Sequence, residues 1–165
     1  NQVNLFTSDI AKKRGHKIER NLVKPTIGNN ILWRSIYEFE NHYYVNAIYM
    51  PFFDEPNYRK GVKLKVINKE TIFPELGDNS TQREDIRRFA HFSQGYLYIY
   101  PYSKNLIADL RYGTLPNDDK SLWGIRVNIN NPEKHVTFEK LRTFNNNHYD
   151  EFWLMLKGNL QMKEN

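Results

Sequence analysis

The sequence predicts an α+β domain: a mostly antiparallel sheet of about six strands, a central helix over about residues 81–92, and a helix at either end. Val62, Leu64 and Val66 alternate with Lys63 and Lys65, the period-two pattern of a half-buried strand. Runs of β-branched and aromatic residues over 30–39, 43–50, 95–100, 106–112 and 122–129 are separated by turn-forming residues. Strands that come in runs, with helices between the runs, favour antiparallel pairing over strict βα alternation.

In chain order, helix formers over about 8–20 predict a charged helix, weakened at Gly15. Pro25 disfavours a helical Lys24 and turns the chain into an extended segment. Glu40, Asn41 and His42 form the tip of a first hairpin, and Pro101 to Asn105 the tip of a second. Thr81 and Glu84 have capping-box spacing, with Ser80 competing for the cap, and Ile86, Phe89 and Ala90 follow at helical intervals. Asn145 to Asn147 read as a loop before a terminal amphipathic helix over about 149–157, with Gly158 near its end.

Composition sets the class. A chain of 165 residues with 39% hydrophobic and 15% aromatic content folds and buries a core. The longest uncharged stretch with apolar character, Tyr43 to Phe53, is about half of the roughly 20 residues that cross a bilayer as a helix. No signal-peptide core follows the N-terminus, and an opening of Asn1-Gln2-Val3 reads as a piece excised from a longer protein. The absence of cysteine removes disulfides, thiolate ligands and a cysteine nucleophile without choosing a compartment.

The net charge of +5 is unevenly placed. Lys12, Lys13, Arg14, Lys17, Arg20, Lys24 and Arg34 against Asp9 and Glu19 account for all of it, and the rest of the chain balances seventeen bases with seventeen acids. Residues 1–22 therefore read as a basic juxtamembrane helix or arm, or a solvated helix face, and 23–165 as a single soluble α+β domain.

No complete catalytic constellation is legible. The five histidines lack the spacing that puts two metal ligands on one helix face, and His91 lies six residues from Asp85, on a different side of a helix. There is no nucleophile elbow or glycine-rich phosphate loop. Asp118 and Asp119 read as turn residues. Tyr96, Tyr98 and Tyr100 form a same-face stripe that suits sheet packing and, less well, base stacking. Asp109 and Arg111 share a strand face, while Arg34 sits among Ile31, Leu32, Trp33 and Ile36. An unpaired buried guanidinium is prohibitive, so Arg34 and Arg111 either pair with Asp109 or line a groove for an anionic group.

The order of Arg14-Gly15-His16, Lys24-Pro25-Thr26, Asn29, Leu32-Trp33-Arg34, Tyr43-Tyr44-Val45, Asp85 to Phe89, Phe92-Ser93, Gly95-Tyr96-Leu97, Asp109 to Tyr112, Leu115-Pro116-Asn117 and Leu122 to Ile125 resembles a known pattern. It is similar to the C-terminal region of the LexA-binding, inner-membrane-associated proteins classed as metal-dependent hydrolases (YdjM-like), from about Arg14 to His135. The resemblance implies a bacterial inner-membrane parent. Its transmembrane helices and metal-binding His and Asp residues would lie in an N-terminal part that this chain lacks. No catalytic residue, metal ligand or cofactor is then expected here, and a divalent metal belongs to that other part. The signature positions that carry over are Lys24, Asn29, Arg34, Arg88, Asp109, Arg111 and Asn117. Positive charge close after a membrane span leans the domain to the cytoplasmic face.

Two functions follow from different classes. An accessory domain that holds or gates an anionic substrate for the membrane hydrolase predicts a cleft into which Arg34 and Arg111 point. A non-enzymatic module that docks a protein partner or membrane surface predicts those arginines buried in ion pairs, with an exposed apolar patch on the order of several hundred Å². Nucleic-acid binding is disfavoured by the neutral body of the chain.

Overall fold

A computed structural model describes residues 2–161. The element order is α1 (Gln2–Lys13), β1 (Arg20–Pro25), β2 (Leu32–Phe39), β3 (His42–Tyr49), β4 (Asn57–Lys65), α2 (Thr81–Phe92), β5 (Leu97–Ile99), β6 (Leu106–Asp109), β7 (Trp123–Arg126), β8 (Thr137–Lys140) and α3 (Asn146–Leu156). The α+β class is as expected, but the single sheet of about six strands is not. The described chain forms two four-stranded antiparallel sheets, β1-β2-β3-β4 and β5-β6-β7-β8. The unexpected strands are the outermost β1 and β8. Arg20 to Lys24 are all half-buried, and Thr137, Phe138 and Lys140 of β8 are exposed. Neither strand has the buried-exposed alternation that marks a strand in sequence.

The chain divides into two compact units: described residues within 1–64, 113–118 and 144–161 form the first, and 65–112 with 119–143 the second. In the first unit Leu32 and Ala47 of the sheet pack with Leu115, with Met155 of α3 and with Leu160. Helix α1 packs through Val3 and Ile10 against Ile48. A polar layer adjoins it: Thr7 Oγ1 lies 3.0 Å from Ser35 Oγ, and both side chains are fully buried. Helix α1 stops at Lys13 because Gly15 takes φ +74, which breaks the helical path.

In the second unit α2 spans the residues expected of it. Ser80 is the N-cap, its side chain accepting from the Arg83 amide. Ile86, Phe89 and Ala90 pack with Leu97, Ile107 and Ile125 of the sheet and with Val127 just after β7. Gln82 and Arg83 on the same helix are buried yet well bonded. Gln82 Nε2 donates to the Asn128 and Asn131 carbonyls and its Oε1 accepts from the Asn128 amide. Arg83 donates to carbonyls of Lys69, Ile72, Phe73 and Leu76, which ties the irregular chain before the helix to it.

Candidate functional site

The signature residues fall into both units. In the first, Asn29 Oδ1 accepts from the Ile31 and Leu32 amides at 3.0 and 2.8 Å, and its Nδ2 donates to Thr26 Oγ1. It therefore shapes the turn between β1 and β2. Lys24 stands opposite Arg34 across these strands. Arg34, 5% exposed, sends Nη1 to the Leu115 and Pro116 carbonyls and Nη2 to the Asp118 carbonyl, with Asp118 Oδ1 at 4.0 Å. It braces the Leu115-Pro116-Asn117 loop from inside. The fit is close: a Cβ at Gly113 would lie 2.6 Å from Arg34 Nη1, and one at Gly61 would lie 2.1 Å from the Asn117 carbonyl oxygen.

Of the two arginines expected to pair with Asp109 or line a groove, Arg111 pairs with it in the second unit, from the turn after β6 and not from a shared strand face, whereas Arg34 bonds the loop carbonyls instead. Arg111 Nη2 reaches Asp109 Oδ2 at 2.8 Å and Nε reaches Oδ1 at 3.0 Å, with Asp109 fully buried. The hydrogen bond to Asp109 raises the Arg111 pKa against the opposing effect of burial. Trp123 Nε1 also donates to Asp109 Oδ2. The Arg111 guanidinium lies 5.3 Å from the centroid of the Phe92 ring and 5.4 Å from that of Tyr112. The pair thus braces the aromatic side chains around it.

Phe92 forms one wall of an open groove of about 390 Å³. Helix α2 contributes Asp85, Arg88, Phe89 and Phe92, while β8 and its lead-in contribute His135, Val136 and Phe138. Phe92 and Phe138 are 56% and 57% exposed. Arg88, the last signature residue, stands on the lip with its side chain 68% exposed. Its guanidinium is 3.6 Å from Glu84 and 3.9 Å from Asp85, beyond direct hydrogen-bonding distance.

His135 and β8 were not singled out by sequence reasoning. Asp85, compared there with His91, instead faces His135 fifty residues on, at 2.9 Å from Nδ1, and accepts from the Val136 amide at 3.0 Å. A carboxylate on Nδ1 orients the ring and leaves Nε2 to meet a ligand. No local motif announces such a pair, because helix and strand meet only in the fold.

Other expectations resolve as structure. Tyr96, Tyr98 and Tyr100 are buried, so the stripe packs the sheet and presents no face for base stacking. Asp118 Oδ2 accepts from the Leu115 amide and Asp119 Oδ1 from the Tyr102 hydroxyl. Among the described residues no three His, Asp or Glu side chains gather to hold a metal, and no helix is long and apolar enough to cross a membrane. Comparison with family models, curated proteins and solved structures gives no match for this chain.

Proposed function

We propose that the chain is a non-enzymatic interaction module that holds a segment of a protein partner in the groove between α2 and β8. The observation that carries this reading is the use of two of the three signature guanidinium groups. Arg34 and Arg111 are bonded to the protein itself, whereas Phe92 and Phe138 stand exposed around a cavity. An apolar floor with a few polar groups at its rim is the make-up of a binding site. Arg88 and His135 at the rim suit a ligand with an acidic group beside an apolar or aromatic side chain.

The resemblance supports a bacterial inner-membrane hydrolase as the parent, and in that setting the module is accessory. It would serve on the cytoplasmic face, recruiting a partner to the enzyme whose divalent metal lies in the membrane part. Anilinonaphthalene sulfonate, an aromatic anion, is the first probe. Saturable one-site binding is expected, weakened at least tenfold by Phe138→Ser and by Arg88→Gln. Binding untouched by either substitution would overturn the reading.

A further inference from the structure

We infer that the groove takes its partner as an added β-strand: an extended peptide that hydrogen bonds to the outer edge of β8 at Phe138 and Lys140. The inference rests on the reading of the groove as a protein-binding site and adds the mode and chemistry of recognition.

The register of the second sheet carries it. The Leu141 amide donates to the Leu122 carbonyl, and the Val127 amide to the Asn105 carbonyl. With Glu139 opposite Gly124 and Thr137 opposite Arg126, antiparallel alternation turns the Thr137 and Glu139 amides and carbonyls inward to β7. Those of Phe138 and Lys140 then face outward. Among the described residues no strand pairs on that side of β8. Val136 has the same parity, and its outward amide already donates to Asp85 Oδ2 at 3.0 Å. The α2 carboxylate stands where a neighbouring strand's carbonyl would stand, so it caps the edge at that end and fixes where pairing can begin.

The free part of the edge opens onto the groove, because Phe138 both lines the cavity and belongs to the outward-facing set. Helix α2 supplies the opposite wall through Arg88, Phe89 and Phe92. A slot between a helix and an edge strand can fix one strand by backbone bonds while pockets select alternate side chains. Side chains of an added strand repeat on one face about every 7 Å. An apolar or aromatic side chain meets Phe89, Phe92 and Phe138, and an acid nearby meets Arg88. Glu84 and Asp85 also flank Arg88, so the acid must compete for it, and its contribution is selective more than strong.

The test uses the whole chain, isotope-labelled, and a capped heptapeptide of alternating valine and threonine around a central phenylalanine, with aspartate two residues after it. Binding should slow hydrogen exchange at the Phe138 and Lys140 amides. Methylating the peptide nitrogens one at a time should weaken binding at least tenfold at alternate positions and leave the intervening positions unchanged. Replacing the aspartate by asparagine should weaken binding to the wild type and make no difference in Arg88→Gln. If every N-methyl peptide binds equally while Phe138→Ser still abolishes binding, strand addition falls and the groove reading stands. If neither the peptide nor the fluorescent anion binds, both fall. Concentration-dependent dimerisation that protects the same amides without peptide would assign the edge to a second copy of this chain and overturn the partner-peptide assignment.

Discussion

Two of the buried arginines, Arg34 and Arg111, are held by different means, and the difference governs what each substitution should do. Arg34 is satisfied mainly by three loop carbonyls, Arg111 by one carboxylate and the faces of two rings. Arg34→Ala leaves those carbonyls without their donor and the loop unbraced, so about 3 kcal/mol of stability should be lost. Arg34→Lys should recover little, because an ammonium lacks the planar fork that spans the carbonyls. Urea unfolding of the three proteins checks both, and a wild-type midpoint for either variant would refute the role. Asp109→Asn should cost about 3 kcal/mol of stability by leaving the buried Arg111 without its carboxylate and, in the folded protein, loosen Phe92 and Trp123, lowering affinity for the fluorescent anion severalfold; unchanged affinity would separate the ion pair from the groove. The Asp109–Arg111 pairing was legible because the two residues are close in sequence, but the strand expected to carry both ends at Asp109, and Arg111 reaches back from the following turn with its amide also bonded to Asp109 Oδ1. The Arg34 partners were not: they are backbone carbonyls 81 to 84 residues away, and a carbonyl has no sequence signature.

Among the elements, α2 was the one read correctly in extent, since its apolar face marked the same residues, although its cap is Ser80 and not the Thr81 of the capping-box spacing. Ser80→Ala should cost about 1 kcal/mol of stability through the buried Arg83 amide left without its acceptor, measured by thermal unfolding. Helix α3 starts earlier than its apolar pattern because Asn145, taken as loop, caps it: its side chain accepts from the His148 amide, and His148 bonds back to the Asn145 amide. Helix α1 is followed by a pH-sensitive contact at His16. His16 stacks on Phe39 at 4.5 Å, touches Tyr44, and lies 2.8 Å from the Tyr37 hydroxyl, which also accepts from Arg14. Burial, then Arg14, lowers its pKa below 6.5, with Lys63 adding and Glu40 opposing. The unfolded chain therefore binds the proton first on acidification. Stability from neutral His16 should be complete above about pH 6.5 and fall as pH drops through the lowered folded-state value. Denaturation midpoints at pH 7.5 and 5.0 should differ less in His16→Phe than in the wild type; equal differences would remove His16 as the cause.

For the whole molecule the uneven charge remains, and the fold sorts it. Of the seven basic residues in the first 34, Arg14 bonds to Tyr37 and Asn46, Arg20 to Glu38 and Tyr43, and Arg34 to its loop. Those cations serve the structure. Lys12, Lys13 and Lys17 are exposed, on the last turn of α1 and just beyond it. If the chain works beside a membrane, these three lysines are the residues to meet anionic headgroups. Each lysine near such a surface contributes about 1 kcal/mol, and the attraction is screened within about 10 Å at 0.1 M salt. Phosphatidylserine vesicles should therefore bind the chain at low salt and release it as salt rises. Replacing Lys12, Lys13 and Lys17 together by glutamine should abolish that binding and leave peptide affinity at the groove unchanged. Vesicle binding that survives the triple substitution would place the membrane contact elsewhere. No salt-dependent binding at all would leave the basic segment as a solvated face and remove the electrostatic ground for a juxtamembrane position.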